Sequence, residues 1–341
     1  MLDWDYWLVK WRVELWGREW NFVDMATFTS LVFLHFLSLL APFYFTWTAF
    51  WLAIALYFVS GVGVTLSFHR NLSHRSFKLP RWLEYFFAYC GVLSLQRSPL
   101  DWVSVHRSHH QFTDTVKDPH SPVRGLWFSH IGWTLDYRGR NGNVKIFSFS
   151  PSVEARNVAL FSTYFYGYEA RLRNVGDLKR QPYYIFLHYT YPLHYTALGV
   201  LLYFIGGMPF LVWGMGVRTV LFLHATFGIN SICHTWGQQV WETGDLSRNN
   251  WLIGLLAHGE GWHNNHHAFQ HSARHGLEWW QIDFTWYVIR FLELVGLATE
   301  VKLPTETQKK QRALSNKMIH EEKQQQQLET NEVPKWQALK D

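Results

Sequence analysis

Cysteine is nearly absent: the chain has two, Cys90 and Cys233, in 341 residues. Two cysteines cannot build a disulfide framework, and both fall in apolar runs, so they read as small buried hydrophobes in a reducing setting. The Cys pairs of zinc deaminases are missing, as is the His-Glu-x-x-His pattern of zinc proteases. So are the Gly-x-Gly-x-x-Gly nucleotide fingerprint and the His-Pro-Gly-Gly haem-domain motif. Charge is also scarce: charged residues make up 17%, and the net charge of +5 implies no nucleic-acid partner. Residues 1 to 21 lack the early apolar stretch of a secretory signal and are too acidic and Ser-poor for a plastid transit peptide.

Hydrophobic residues, by contrast, make up 48% and aromatics 18%, with 20 Trp. Rings of this kind anchor at membrane–water interfaces. Two apolar runs come early, Met25 to Leu40 and Phe45 to Phe68, joined at Ala41-Pro42-Phe43. Two come late, Tyr184 to Ile205 and Pro209 to Cys233, joined at Gly206-Gly207-Met208. Each is close to the ~20 residues that cross a ~30 Å hydrocarbon layer. The expectation is an all-α membrane protein with four transmembrane helices in two hairpins. Trp82 to Leu95 is shorter, flanked by Arg81 and Arg97, and reads as an interfacial helix. The short turns hold no Lys or Arg, whereas the N-terminal segment, the middle and the C-terminal third do. The positive-inside rule places these basic parts on the cytosolic side. Residues 1–24 then form an interfacial N-terminal segment, 25–303 the membrane domain, and 304–341 a polar flexible tail.

Eight of the 19 histidines lie in three compact clusters. These are His69 and His74; His106, His109 and His110; and His263, His266 and His267. All fall in segments expected on one membrane side. A lone histidine there is ordinarily a hydrogen-bonded core residue; three clusters together point to metal. Residues four apart share a helix face, so His106 pairs with His110, and His263 with His267. His109 and His266 are rotated toward a neighbouring ion. Eight imidazoles overfill one zinc site and suit two ions, while imidazole alone does not choose among Zn, Cu, Fe and Ni. A carboxylate-bridged bundle site needs two Glu-x-x-His motifs; only Glu260 to His263 matches.

These clusters, with Gln96-Arg-Ser-Pro-Leu-Asp101-Trp102-Val, Asp118-Pro119-His120-Ser, Trp127-Phe-Ser-His130 and Asn71-Leu-Ser-His74-Arg-Ser-Phe-Lys-Leu-Pro80, resemble the membrane-bound acyl desaturases, especially the plant and cyanobacterial branch. The resemblance runs from about Phe28 to about Leu303. It implies a four-span fold with a cytosolic helical cap enclosing two Fe ions. It also implies a ninth imidazole, His234, within Asn230-Ser-Ile-Cys-His234. By match, one iron takes His69, His74, His106, His110 and His266. The other takes His109, His234, His263 and His267, with Asn230 acting through water. Gln96, Trp102 and Thr226 match residues that kink the acyl chain, and Phe227 stands where animal enzymes carry Trp. Val103-Ser104-Val105 replaces charged residues that help hold CoA in animal enzymes, which weakens the case for acyl-CoA and leaves room for a glycerolipid-bound acyl group; the carrier is a glycerolipid or CoA. Arg138 and Arg140 are candidates for a phosphate.

The implied reaction removes two hydrogens from unactivated methylenes and leaves a cis double bond, at carbon 9 by resemblance. No side-chain acid or base does this, so a redox metal centre and O2 are required. Electrons come from a separate donor: cytochrome b5 at the endoplasmic reticulum membrane, or ferredoxin in the chloroplast alternative. The rivals are a hydroxylase or alkane monooxygenase of the same metal type, a haem-binding membrane electron carrier, and a metal sensor. Of the other histidines, His35, His188, His194 and His224 read as hydrogen-bonded core or interface residues. His120, His130, His258, His271 and His275 read as supporting ones. Arg218, inside a span, is expected to be structurally paired.

Overall fold

The computed structural model describes residues 20–136 and 172–332, so Arg138 and Arg140 lie outside it. Among the described residues the chain is helical with no strands, only isolated bridges such as Lys78 with Thr299. Helix α1, Phe22–Leu39, starts at Asn21, whose side chain accepts the Asp24 N–H at 3.0 Å. Helix α2, Trp47–Val62, starts at Thr46, whose hydroxyl accepts the Ala49 N–H at 3.1 Å. These side-chain caps satisfy amide donors that the helix itself leaves open. Beyond Val62 the helix continues as a π-wound stretch, Gly63–Ser73.

Helix α3, Arg81–Val92, crosses this stretch at a glycine pair. A Cβ on Gly63 would lie 2.1 Å from the Gly91 backbone nitrogen, so only glycine allows the approach. Trp82, Phe86 and Tyr89 remain exposed on its outer side. Helix α4, Pro99–Phe112, is opened by Ser98 and by Pro at its first position, where the missing N–H costs nothing. Its inner face joins the main core, in which Phe68, Leu72, Leu100, Val103, Tyr184 and Phe222 are all buried.

Among the described residues, three helical runs are long and apolar enough to cross a membrane: Phe22–Leu39, Trp47–Ser73 and Pro182–His234. The two late runs expected from the sequence are thus one continuous run of 53 residues. It comprises α5, Pro182–Leu211, a π-wound Val212–Val217, and α6, Arg218–Ser231. The run is not straight. Gly207 has φ 61° and ψ −152°, outside helical values. A Cβ on Gly199 would sit 3.3 Å from Met215 Cε, and one on Gly214 would sit 2.8 Å from Leu202. Sixteen residues of straight helix would separate positions 199 and 215 by about 24 Å. The chain therefore folds back at Gly207, and its two legs pack against each other. The positive φ is accessible to glycine at little cost.

Arg218 is fully buried between these legs, as expected of a paired residue, but its partners are not carboxylates. Its guanidinium donates to the carbonyls of Gly214 (2.9 Å) and Leu93 (2.7 Å). Downstream lie α7, His263–Ala268, and α8, Phe284–Leu294.

The segment 304–341 is expected as a flexible tail with some fragmentary helix. Residues Glu306–Glu332 form helix α9. Glu, Gln, Lys, Arg and Ala dominate it, and these are strong helix formers; a search for apolar runs overlooks them. The helix is also anchored. Asn316 accepts the Glu242 N–H and donates to the Val240 carbonyl, both at 2.8 Å.

Candidate metal centre

Four elements converge on one cluster of rings. The π-wound stretch supplies His69 and, at its end, His74. On an α-helix, residues five apart point about 140° away from each other. Here the His74 N–H bonds the His69 carbonyl at 3.1 Å, an i to i+5 closure, which sets the fifth residue nearly above the first. The two rings are 4.9 Å apart. Helix α4 contributes His106, His109 and His110; α7 contributes His263, His266 and His267. The turn after α6, Ile232–His234, contributes His234.

The ring nitrogens form two adjacent groups, one of His69, His74, His106, His110 and His266, the other of His109, His234, His263 and His267. The helical pairs stay together, while His109 and His266 cross to the other group. His110 and His267, one from each group, have ring centres 4.7 Å apart. All nine side chains are buried or half-buried.

The hydrogen-bond pattern shows what the groups suit. Four Nδ1 atoms meet carboxylates: His69 with Glu260, His109 with Asp118 (2.9 Å), His234 with Asp114 (3.0 Å) and His267 with Asp245 (2.8 Å). Each such bond places the ring proton on Nδ1 and leaves Nε2 as a bare lone pair. The bare Nε2 atoms of His234 and His267 both face His263 Nε2, at 3.0 and 3.1 Å. One N–H on His263 cannot satisfy both. His109 Nε2 is buried without any hydrogen-bond partner. In the other group His266 Nε2 faces both His69 (3.2 Å) and His110 (3.0 Å), and His74 faces His106 at 2.7 Å. With metal–nitrogen bonds of about 2.1 Å, neighbouring ligands on one ion stand about 3.0–3.4 Å apart. The spacings are therefore close to the edges of coordination polyhedra, and the residues fit two imidazole-bound ions.

Electrostatics agree. Burial, then neighbouring ring charges, push His106, His110, His263 and His266 well below the ordinary histidine range, so the rings are neutral. Burial also pushes His267 down to about 4, with the Asp245 bond opposing it. Burial alone would raise Asp118, yet His109 and His120 hold it far below the carboxylate range. Asp245 is likewise held low, burial being outweighed by His267. A neutral imidazole oriented by a carboxylate is the form that binds metal.

From the sequence, Asp114 and Asp245 carry no role, and Asp118 and Glu260 enter only as members of motifs. Asp114 and Asp118 lie five and nine residues past His109, close enough to have served as a signal. Glu260 misleads: its spacing suggests a partnership with His263, but it pairs with His69 and lies 3.3 Å from His275. Arg70, completely buried, grips Glu260 and Asp283 from behind.

Gln96, Trp102 and Thr226 come together. The Gln96 amide donates to Thr226 at 2.9 Å and accepts from the Trp102 indole at 3.3 Å. Trp102 stacks on His106 with ring centres 5.0 Å apart, so this trio abuts the five-histidine group. Phe227 instead packs with Ile131, Leu223 and Trp133. Asn230 is half-buried on α6, one turn before His234. His35, His224, His130 and Ser231 form a hydrogen-bonded chain with links of 2.9, 2.9 and 2.8 Å. His188 bonds Ser98 at 2.6 Å.

A family model described as fatty acid desaturase matches residues 45–296. The curated relatives include the Arabidopsis thaliana palmitoyl-monogalactosyldiacylglycerol delta-7 desaturase, chloroplastic. It is 54% identical over 308 residues, 90% of this chain and 76% of the relative. The Limnanthes douglasii icosanoyl-CoA 5-desaturase is 55% identical over 296 residues, 86% and 76% of the respective chains. The Arabidopsis thaliana delta-9 acyl-lipid desaturase 1 is 51% identical over 300 residues, 88% and 90%. The chain belongs to the fatty acid desaturase family. It is a fatty acyl desaturase, an oxidoreductase acting on an acyl chain.

Proposed function

We propose that the nine histidines hold two iron ions, and that the enzyme places a cis double bond at carbon 9 of a saturated, glycerolipid-bound acyl chain. The convergence of bare Nε2 lone pairs into two groups is the observation that carries the metal assignment. When bound, the irons supply the O2-dependent removal of hydrogen from unactivated methylenes, which side chains cannot perform. Asn230 contributes to the four-histidine position through water. Four crossings are supported by the three apolar runs together with the fold-back at Gly207. The remaining helices form a cap on the cytosolic side.

The protein's own tasks are orientation and exclusion of water. The Asp118, Asp114, Asp245 and Glu260 carboxylates keep their imidazoles in the metal-binding tautomer. The Gln96–Thr226–Trp102 trio stands beside His106, where a bent acyl chain needs a shaped wall. Because a saturated chain has no polar handle, regioselectivity must come from that wall. Phe227 adds apolar bulk on α6 one residue past Thr226. The glycerolipid carrier is supported by Val103-Ser104-Val105, which is buried, with Ser104 bonded to Asn174 at 2.7 Å. That stretch offers no charge to a nucleotide. The relatives include both acyl-lipid and acyl-CoA desaturases by name.

Organelle and donor go together: cytochrome b5 with the endoplasmic reticulum, ferredoxin with the chloroplast. Two relatives carry the word chloroplastic in their names. Expression in a yeast lacking its own Δ9 desaturase, with fatty acids profiled by lipid class, tests position and carrier together. The expected product is a Δ9 monoene appearing first in glycerolipids. A product heavier by one oxygen, without an alkene, would refute desaturation. His106→Ala and His267→Ala should each abolish the product and lower the iron content.

A further inference from the structure

The two metal positions differ in the charge behind them. In the four-histidine group, three of the four rings are backed by carboxylates: His109 by Asp118, His234 by Asp114 and His267 by Asp245. The other bonds to these carboxylates come from neutral donors. Asp118 accepts the Asp114 and His120 N–H groups. Asp114 accepts the Leu246 N–H. Asp245 accepts from Thr243 and Ser247. No arginine or lysine pairs with any of the three among the described residues.

In the five-histidine group, a single ring, His69, is backed by a carboxylate among the described residues, and that carboxylate is shared. Glu260 receives two bonds from Arg70, at 2.9 and 3.1 Å, and Arg70 is itself bridged to Asp283. Arg70, Glu260 and Asp283 together carry one negative charge; Asp114, Asp118 and Asp245 carry three.

We infer that the four-histidine position is built for the more highly charged ion: of the two irons it is the one held ferric to lower potential. This rests on the dimetal reading above. Two effects compete. The five-histidine position has a fifth imidazole where the other has the water held by Asn230; that neutral ligand adds donor strength but no charge. The four-histidine position has two more negative charges, each one ring away from the ion; Asp118 is buried, and Asp114 and Asp245 are half-buried with side chains 7% and 11% exposed, where charges are less screened than in water. Going from ferrous to ferric adds one unit of charge, so the charge imbalance acts directly on that step and the neutral ligand does not. Carboxylate partners also raise the basicity of their imidazoles, which acts in the same direction. The three aspartates are therefore positioning residues that tune one ion, and the Arg70 clamp relieves the other of most of its negative surroundings.

The test uses the full chain purified in detergent with 57Fe, reduced stepwise and followed by iron content and Mössbauer spectra. The expected wild-type result is two irons per chain that reduce in two steps, through a state with one ferric and one ferrous ion. Asp245→Asn should shift the low-potential step upward; if it costs that ion, the single iron left should reduce at the wild-type high-potential step. Asp245→Glu should restore the low-potential step. Reduction of both wild-type ions in one step would overturn the inference. So would an Asp245→Asn effect confined to the high-potential ion. A wild-type preparation that binds no iron would instead overturn the dimetal reading itself.

Discussion

Replacing Arg70 with methionine removes the cation from the most heavily charged part of the interior. The guanidinium makes five hydrogen bonds. Two go to Glu260 Oε1, two to the Asp283 carboxylate at 2.9 and 3.0 Å, and one to the Ala273 carbonyl at 2.8 Å. Methionine roughly conserves the stem but leaves both carboxylates without their counter-charge. Removing one partner of a buried ion pair costs about 3–5 kcal/mol. Two carboxylates are exposed to that loss, but each keeps other partners. Glu260 retains His69 and His275; Asp283 retains the N–H groups of His275, Gly276 and Trp286. The expected loss therefore stays near about 3–5 kcal/mol rather than doubling, or about 5–8 °C in Tm for a body of this size.

Arg70→Lys keeps the charge and loses the planar fork, so it should fall between wild type and methionine. The assay is thermal unfolding in detergent after chelation, so that iron loss does not contribute to the shift. In the Glu260→Gln/Asp283→Asn background, Arg70→Met should cost much less, because the stranded charges are gone. An Arg70→Met protein that melts within about 2 °C of wild type would refute the reasoning.

Gly63→Ala should destabilise by about 1–3 kcal/mol or prevent folding, because the new methyl meets backbone of Gly91 and Cys90 that cannot move aside; expression level and Tm in detergent report it. His258 sits among Tyr57, Phe58, Phe222 and Phe284 with both ring nitrogens unpartnered, and burial pushes it down to about 4. Above the unfolded value near 6.5 the ring is neutral in both states and adds no pH dependence. As pH falls from there to about 4, the unfolded chain takes up a proton that the fold refuses, and stability drops by about 3 kcal/mol. His258→Leu should flatten the stability–pH curve of the metal-free protein by one proton over that window; an unchanged slope would contradict this. Truncation after Thr305 removes helix α9 and the two Asn316 bonds. It should lower Tm by a few degrees and leave product formation largely intact, as read by fatty acid profiling.

Much of the candidate site was legible before any fold was known. The His106/His110 and His263/His267 pairs are local: at 100° per residue, a spacing of four fixes a shared face. Helical class followed from long apolar runs. The reading failed where local spacing carries no information. Glu260 lies three residues from His263 and bonds His69, 191 positions away. The last two of the four expected runs form one helical stretch, since Gly206 and Met208 stay helical, but its reversal at Gly207 falls inside the turn expected at 206–208. The tail gave little packing signal because apolar content is what marks packing in a sequence, whereas the α9 contacts are polar, from Asn316 and Arg312.

The histidine clusters and the helix faces that carry them were legible in the sequence by itself, because both depend on residue type and on a fixed angular step along the chain. Only the tertiary structure decided which carboxylate stands behind each ring, and that the His69–His74 spacing is served by π winding. Those outcomes depend on contacts between residues far apart in the chain, and no local period encodes such contacts.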